Sequence, residues 1–298
     1  MDTDDYLKKV LQSQRLADDS DEMKELREHR DDVETILRQN FSESSLTIRY
    51  GGSKAKGTLI REFFDLDLVS YFATGDNTAG ETLEEIYGNV KDVLSESYYV
   101  EEKTSALRLK SKDPKHFGVD FRIDVVPGRF TDDTKTDCYL FQKSGDKGRL
   151  KTNLDVHIAH IRNSGVLDAI ALLKLLRARK ALSVKQFAWE LLGVKLLSSK
   201  KKVSLSMQLE HVLTEISNAD DAITIEDPAN PSGNDLMPLL KGRWAELQWA
   251  ATSTLNVVEQ SGWEKVFGNI ESTDKASRAT ILTSAAYATS ARTQPWSI

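Results

Sequence analysis

The chain has 298 residues, a formal net charge of −6 and 29% charged side chains, with a pI near 5.5. Its single cysteine, Cys138, excludes an intrachain disulfide, its five histidines show no zinc-ligand spacing, and no apolar run approaches the roughly 18 residues of a membrane span. The acidic balance argues against an extensive basic platform for nucleic acid, and the length suffices for one large domain or two modest ones.

The start, MDTDDYLKKV, is acidic and lacks the apolar core of a signal peptide; with one cysteine, a reducing cytoplasm is the expected setting. Helices are predicted over 4–17 and 21–40. Met23, Leu26, Val33, Ile36 and Leu37 form a 3.6-period stripe in the second, with Ser20 or Asp21 as its cap. Ser45–Tyr50 alternates and reads as a strand feeding Gly51-Gly52-Ser53, whose glycines leave backbone N–H groups unhindered before a short helix. A strand carrying Asp65 and Asp67 follows; side chains two apart share a face. Two carboxylates on one face stay ionised beside a cation, and hard oxygen ligands suit Mg2+ or Mn2+ together with substrate phosphates. This stretch points to phosphoryl or nucleotidyl transfer.

Thr82 and Glu85 make a capping box for a third helix. Tyr98–Lys103 and Ala106–Lys110 read as a hairpin, 112–117 as a loop, Val119–Val126 as a strand and Cys138–Gln142 as a last short strand. In Val119–Val126 the apolar residues face one way, and Asp120, Arg122 and Asp124 the other. A third anionic ligand is needed to hold two metal ions about 3.5–4 Å apart; Asp124 is the first choice and Asp120 the second.

A domain boundary is placed near residue 150, giving a core over 1–150 that includes the N-terminal helices, and a helical domain over 151–298. The latter has helices over Gly165–Ala181, Ser183–Leu197 and Ser204–Ile216, and an ordered loop over Ile223–Asn234. A helix opened by Pro238 runs to about Gln260, and 272–298 is a terminal helix or tail. Trp244 and Trp249 are expected in the core. The fold class is α+β: a mixed sheet with flanking helices, then a helical bundle, with the active site in the cleft between.

Strand, G-G-S, helix, D-x-D and a later strand bearing Asp before V-V-P together resemble the polymerase-β-like nucleotidyltransferase superfamily. Around GGSKAKGTLIREFFDLDL the sequence resembles the cyclic GMP–AMP synthase-like bacterial nucleotidyltransferases (CD-NTases) and the oligoadenylate synthetases. FRIDVVPGRF, LLKLLRARK and IEDPANPSGND are similar to that branch's third-carboxylate strand, K-x-x-R helix and D-P-x-N-P-x-x-N loop. The resemblance implies that Asp65, Asp67 and Asp124 bind two Mg2+ or Mn2+ ions, that Gly52 and Ser53 hold the donor triphosphate, and that Lys174 neutralises its β- or γ-phosphate. Where the family often has serine before an aromatic, this chain has Gln186 before Phe187; Gln186 is the expected phosphate donor and Ser183 its substitute. The implied partners are nucleoside triphosphates, ATP among them, and an activating protein; the implied product is a cyclic or short linear oligonucleotide second messenger in antiphage signalling. A CCA-adding or poly(A)-type enzyme, a transferase acting on a protein or antibiotic, and an inactive nucleotide-binding module are the alternatives.

Overall fold

The computed structural model describes residues 2–112, 123–144 and 147–270. Most of the predicted 112–117 loop, the start of the 119–126 strand with Asp120, and the stretch beyond 270 lie outside them.

Two helices open the chain, α1 (Thr3–Gln14) and α2 (Asp21–Asn40). Ser20 caps α2, its hydroxyl accepting the Met23 N–H at 3.3 Å. Met23, Leu26, Val33 and Leu37 bury the predicted stripe against the sheet. Helix α1 goes elsewhere. Tyr6, Leu7, Val10 and Leu11 pack into the core of the helical half, and Asp4 accepts the Leu205 and Ser206 N–H groups at 3.0 Å.

The sheet consists of β1 (Thr47–Tyr50), β2 (Leu66–Phe72), β3 (Tyr98–Glu102), β4 (Leu107–Ser111), β5 (Ile123–Phe130), β6 (Cys138–Phe141) and β7 (Arg149–Thr152). Its order is β1-β2-β5-β4-β3, with β6 on β5 and β7 on β6. Strands β2 and β5 are parallel and the other pairs antiparallel, so the sheet is mixed. Helices α2 and α4 (Leu83–Ser95, with the full Thr82–Glu85 capping box) cover one face, which buries Leu66, Leu68, Leu107, Leu109, Ile123 and Val125. Period-2 alternation therefore sends Asp67, Arg108 and Asp124 to the opposite face.

Strand β5 continues through Pro127 to Phe130, past the predicted end at Val126. Proline is tolerated because this edge changes partner there: β4 pairing ends at Val125 and β6 pairing begins at Gly128. Strand β7 extends the sheet across residue 150, where the sequence placed a boundary. RLKT has no apolar alternation to announce it.

The helical half comprises α5 (Leu154–Arg162), α6 (Leu167–Arg179), α7 (Gln186–Leu196), α8 (Leu205–Asn218), α9 (Met237–Lys241), α10 (Trp244–Ser261) and α11 (Trp263–Phe267). Helix α5 is new, capped by the Asn153 side chain, which accepts the Val156 N–H at 3.1 Å. Helix α6 is buried on nearly all sides, making it the central helix. The helix expected from Pro238 is two, α9 and α10, broken at Gly242. Trp244 is in the core as expected, but Trp249 is 70% exposed, a correction. It lies on the outer face of α10, off the stripe formed by Trp244, Leu247 and Ala251.

Candidate functional site

The turn after β1 is fixed to β2 by one close approach. Gly51 N–H donates to the Asp67 carbonyl at 2.8 Å. The short helix α3 (Gly52–Lys56) begins with Gly52 at φ +53°, and a Cβ there would fall 1.5 Å from Asp67 Oδ2. Both the left-handed backbone and the contact require glycine. Gly52→Ala is expected to lower the urea midpoint, overpacking alone costing about 1–3 kcal/mol, and to move Asp67 off its present rotamer. Unchanged stability together with unchanged binding of an ATP analogue would contradict this reading of the turn.

Strand register builds the next layer. Asp67 pairs with Asp124 across β2 and β5, and Asp124 pairs with Arg108 across β5 and β4. Paired residues point to the same face, so the three form a row. Asp65 stands two residues before Asp67, just ahead of β2. Arg108 Nε and Nη2 donate to Asp124 Oδ1 and Oδ2 at 2.8 and 2.7 Å, and Nη2 lies 3.9 Å from Asp65 Oδ2. The hydrogen bonds to Asp124 hold the guanidinium above its ordinary pKa, against the opposing effect of burial. Burial first, then repulsion from Asp65 and Asp124, pushes the Asp67 carboxyl up to about 7; Lys56 and Lys174 act in the other direction.

The donor set is hard oxygen, and a buried carboxylate with two like neighbours suits a divalent cation. Asp65 and Asp67 fit that role. Asp124 has both oxygens engaged by Arg108, and among the described residues no three of His, Cys, Asp and Glu stand as a ready metal-ligating group.

The cationic side of the site comes from both halves of the molecule. Lys174 on α6 is 2% exposed; burial lowers its amine to about 8, while Glu190, Asp65 and Asp67 oppose that shift. Glu190, fully buried on α7, receives Lys56 Nζ at 2.6 Å, Thr58 Oγ1 at 2.8 Å and Gln186 Nε2 at 3.3 Å. Burial alone would raise its pKa; Lys56 and Lys174 outweigh it and hold the carboxyl below the usual range. Gln186 also accepts from Arg177 Nη1 at 3.3 Å, which fixes its amide beside Glu190 and Lys56. Ser53 is buried in α3, and Ser183 donates its N–H to Glu246 at 2.8 Å.

Lys56, Glu190 and Arg108 join the site without being among the motif residues of the sequence. Each had a local signal: Glu190 is the one charge in FAWELL, Lys56 lies inside the G-G-S stretch, and Arg108 alternates with Leu107 and Leu109.

The Asp227–Asn234 loop is a closed polar knot. Asp227, 3% exposed, accepts from the Asn234 amide at 2.5 Å, the Ala229 N–H at 2.9 Å and His157 Nε2 at 2.6 Å. His157 packs on Phe187 with ring centroids 4.6 Å apart, and Lys56 Nζ lies 5.1 Å from the Phe187 ring centre. The outer side of the loop borders a cavity of about 410 Å³ with a cationic wall of Lys147, Arg149 and Lys151 beside Tyr139, Asn230 and Asn234.

No protein-family model and no curated protein sequence matches the chain. Solved structures do. CdnC of E. coli MS115-1, solved with ATP, is 18% identical with a TM-score of 0.62 over 88% of this chain and 98% of that one; a further structure is a CdnC:HORMA-deltaN complex. The CD-NTase CdnG of Bradyrhizobium diazoefficiens, in complex with GTP, is 12% identical with a TM-score of 0.66 over 97% and 99%. The CdnE cyclic dinucleotide synthase of Elizabethkingia meningoseptica, with GTP and Apcpp, is 13% identical with a TM-score of 0.63 over 87% and 99%. Spanning most of this chain and nearly all of each of theirs, the likeness shows that the protein has the fold of the cyclic GMP–AMP synthase-like bacterial CD-NTases.

Proposed function

We propose that the protein is a metal-dependent nucleotidyltransferase that joins nucleoside triphosphates into a cyclic or short linear oligonucleotide and releases pyrophosphate. The observation that carries this reading is the row of Asp67 and Asp124 on paired strands, with Gly52 held against Asp67. Asp65 and Asp67, with Asp124 as third ligand, would hold two Mg2+ or Mn2+ ions. Those ions, when bound, supply activation of the attacking hydroxyl and neutralisation of charge on the leaving pyrophosphate.

The rest is work for the chain's own groups. Gly52 and Ser53 would hold the donor triphosphate, the missing Cβ letting a phosphate approach the backbone closely. Lys174 would place its amine on the β- or γ-phosphate, and its burial strengthens that attraction. Asp124 is the carboxylate assigned to the acceptor hydroxyl proton where a protein base takes it. Catalysis would be positioning and charge neutralisation, with no covalent enzyme intermediate.

Fold neighbours were solved with ATP, GTP and Upnpp, which supports nucleoside triphosphates as substrates, and the CdnC:HORMA-deltaN complex supports a partner protein. A second messenger in antiphage signalling, made in the cytoplasm, is the setting this reading carries. Among the described residues no helix is long and apolar enough to cross a membrane.

Incubation with the four nucleoside triphosphates and Mg2+ or Mn2+ tests the proposal, with products identified by mass and pyrophosphate measured. Oligonucleotide and pyrophosphate are expected from the wild type, and background levels from Asp65→Asn and Asp124→Asn with unchanged circular dichroism. Extension of an RNA primer in place of free product would give the RNA-nucleotidyltransferase reading. Nucleotide and metal binding without turnover, in the presence of its activator, would make the protein a binding module.

A further inference from the structure

We propose that Glu62 is a positioning residue for Asp65: clamped by the helical half, it sets where the Asp65 carboxylate stands beside Asp67. The assignment rests on the reading of Asp65 as a metal ligand.

The two aspartates are fixed by different means. Asp67 lies inside β2 and is registered against Asp124 of β5. Asp65 lies just ahead of β2, whose first ladder partner is Leu66. Ladder pairing thus fixes the backbone on the C-terminal side of Asp65. On its N-terminal side the chain makes an excursion. Leu59 and Phe64 pack against the core under the sheet, while Ile60 and Phe63 between them pack into the core of the helical half. Asp65 follows directly on the return.

The excursion is gripped by α1 and α6. Gln14, buried at the end of α1, makes three hydrogen bonds to it. Its carbonyl accepts the Arg61 N–H at 2.8 Å, its side-chain oxygen accepts the Glu62 N–H at 3.1 Å, and its side-chain amide donates to Glu62 Oε1 at 2.7 Å. Arg179, the last residue of α6, forks onto the same carboxylate, with Nε donating to Oε2 at 2.8 Å and Nη2 to Oε1. Its Nη1 donates to the Phe267 carbonyl at the end of α11, which fixes the guanidinium from its far side. Arg177 stands over the Phe63 ring, 5.5 Å from its centre.

Two parallel charge-assisted hydrogen bonds make a directional fork. Only 8% of the Glu62 side chain is exposed, so solvent screens this pair less than a surface pair. A metal ligand has to be held within about 0.5 Å of its productive position. Glu62 precedes Asp65 by three residues, and both side chains between them are packed. A change in the backbone at Glu62 therefore passes to Asp65 rather than being absorbed on the way.

Mn2+ binding to the full chain, followed by the electron paramagnetic resonance signal of free Mn2+, tests the assignment. Glu62→Gln keeps the size and an acceptor for Gln14 but breaks the fork. It is expected to weaken Mn2+ binding about tenfold, the low end for groups that orient a metal ligand. In the Asp65→Asn background the same substitution should cost nothing further. In the metal-free protein, hydrogen exchange should quicken at the Arg61 and Glu62 amides and stay unchanged over β2. Arg179→Lys, which keeps the charge and loses the fork, should fall between, and carries the test if Glu62→Gln does not fold. Mn2+ binding by both variants at the wild-type level, while Asp65→Asn weakens it, overturns the role of Glu62 and leaves the metal reading intact. An equal loss with and without the Asp65 carboxylate overturns that role as well. Mn2+ binding indifferent to Asp65→Asn, Asp67→Asn and Asp124→Asn alike removes the metal reading, and the positioning role with it.

Discussion

Asp67→Asn is expected to make the metal-free protein more stable at pH 8 while abolishing the proposed nucleotidyl transfer. The Asp67 carboxyl sits at about 7 in the fold against an ordinary value of 3.8, because of its burial first and repulsion from Asp65 and Asp124 second. The folded state therefore binds this proton more tightly than the unfolded state. Stability falls as pH rises from about 4 to about 7 and levels off above that. Three pKa units correspond to a penalty on the order of 4 kcal/mol at pH 8. Asparagine has the same shape and no charge to desolvate, so it removes the penalty. In a chelator, the melting temperatures of variant and wild type should converge near pH 4 and separate by pH 8, with the variant higher. A variant less stable than wild type at pH 8 would mean that the carboxylate is already satisfied by groups within the fold. Added Mg2+ should narrow the gap from the wild-type side, since only the wild type gains a ligand-bound cation. The expected pairing of gained stability and lost turnover is what a binding residue kept at a cost to the fold produces.

Glu190→Gln is expected to destabilise the protein by about 3–5 kcal/mol, the usual cost of removing one partner of a buried ion pair. Lys56 and Lys174 are both buried, and Glu190 attracts both. Glutamine keeps the shape and an oxygen for Thr58 but leaves two cations against one another. A domain stability of about 5–15 kcal/mol makes that a large fraction of the whole. The double variant Lys56→Met/Glu190→Gln should recover most of the loss in urea unfolding, because the pair is removed together. It should not recover triphosphate affinity at pH 8. Without Glu190, Lys174 loses the carboxylate that most favours its charged form, and the loss of Lys56, a smaller effect of opposite sign, offsets only part of that, so its amine titrates below about 8. Affinity should return as pH is lowered. A double variant that binds an ATP analogue as wild type does at pH 8 would separate Glu190 from the phosphate site.

Much of the sheet half was legible from local pattern. The Thr82–Glu85 box, the Ser20 cap and the alternation that turns Leu107 and Leu109 inward and Arg108 outward are all short-range facts. The elements that escaped lack an apolar signature of their own. Helix α5 buries only Ile161 and depends on its Asn153 cap and on packing against α3 and α7. Strand β7 is polar, paired along one edge of β6. The site divides in the same way. The residue types, G-G-S with three aspartates and a lysine, were visible in sequence. Which of their oxygens are already occupied depends on partners far along the chain, as with Lys56 and Glu190, separated by 134 residues, and no window of sequence carries that.

Helix α1 belongs to the core of the helical half, while α2 belongs to the core under the sheet. The chain therefore passes between the two halves near residues 15–20 and again near Asn153, where β7 gives way to α5. Between those crossings Ile60 and Phe63 also pack into the helical core, and Lys56 and Glu62 pair with Glu190 and Arg179. The stretch from Gly52 to Phe63 is therefore a seam that both cores share, so a load placed on the Gly52 turn is felt by the sheet through Asp67 and by the helices through Lys56 at once. The first fourteen residues, fastened by Asp4 to the start of α8, stand on the helical side of that seam.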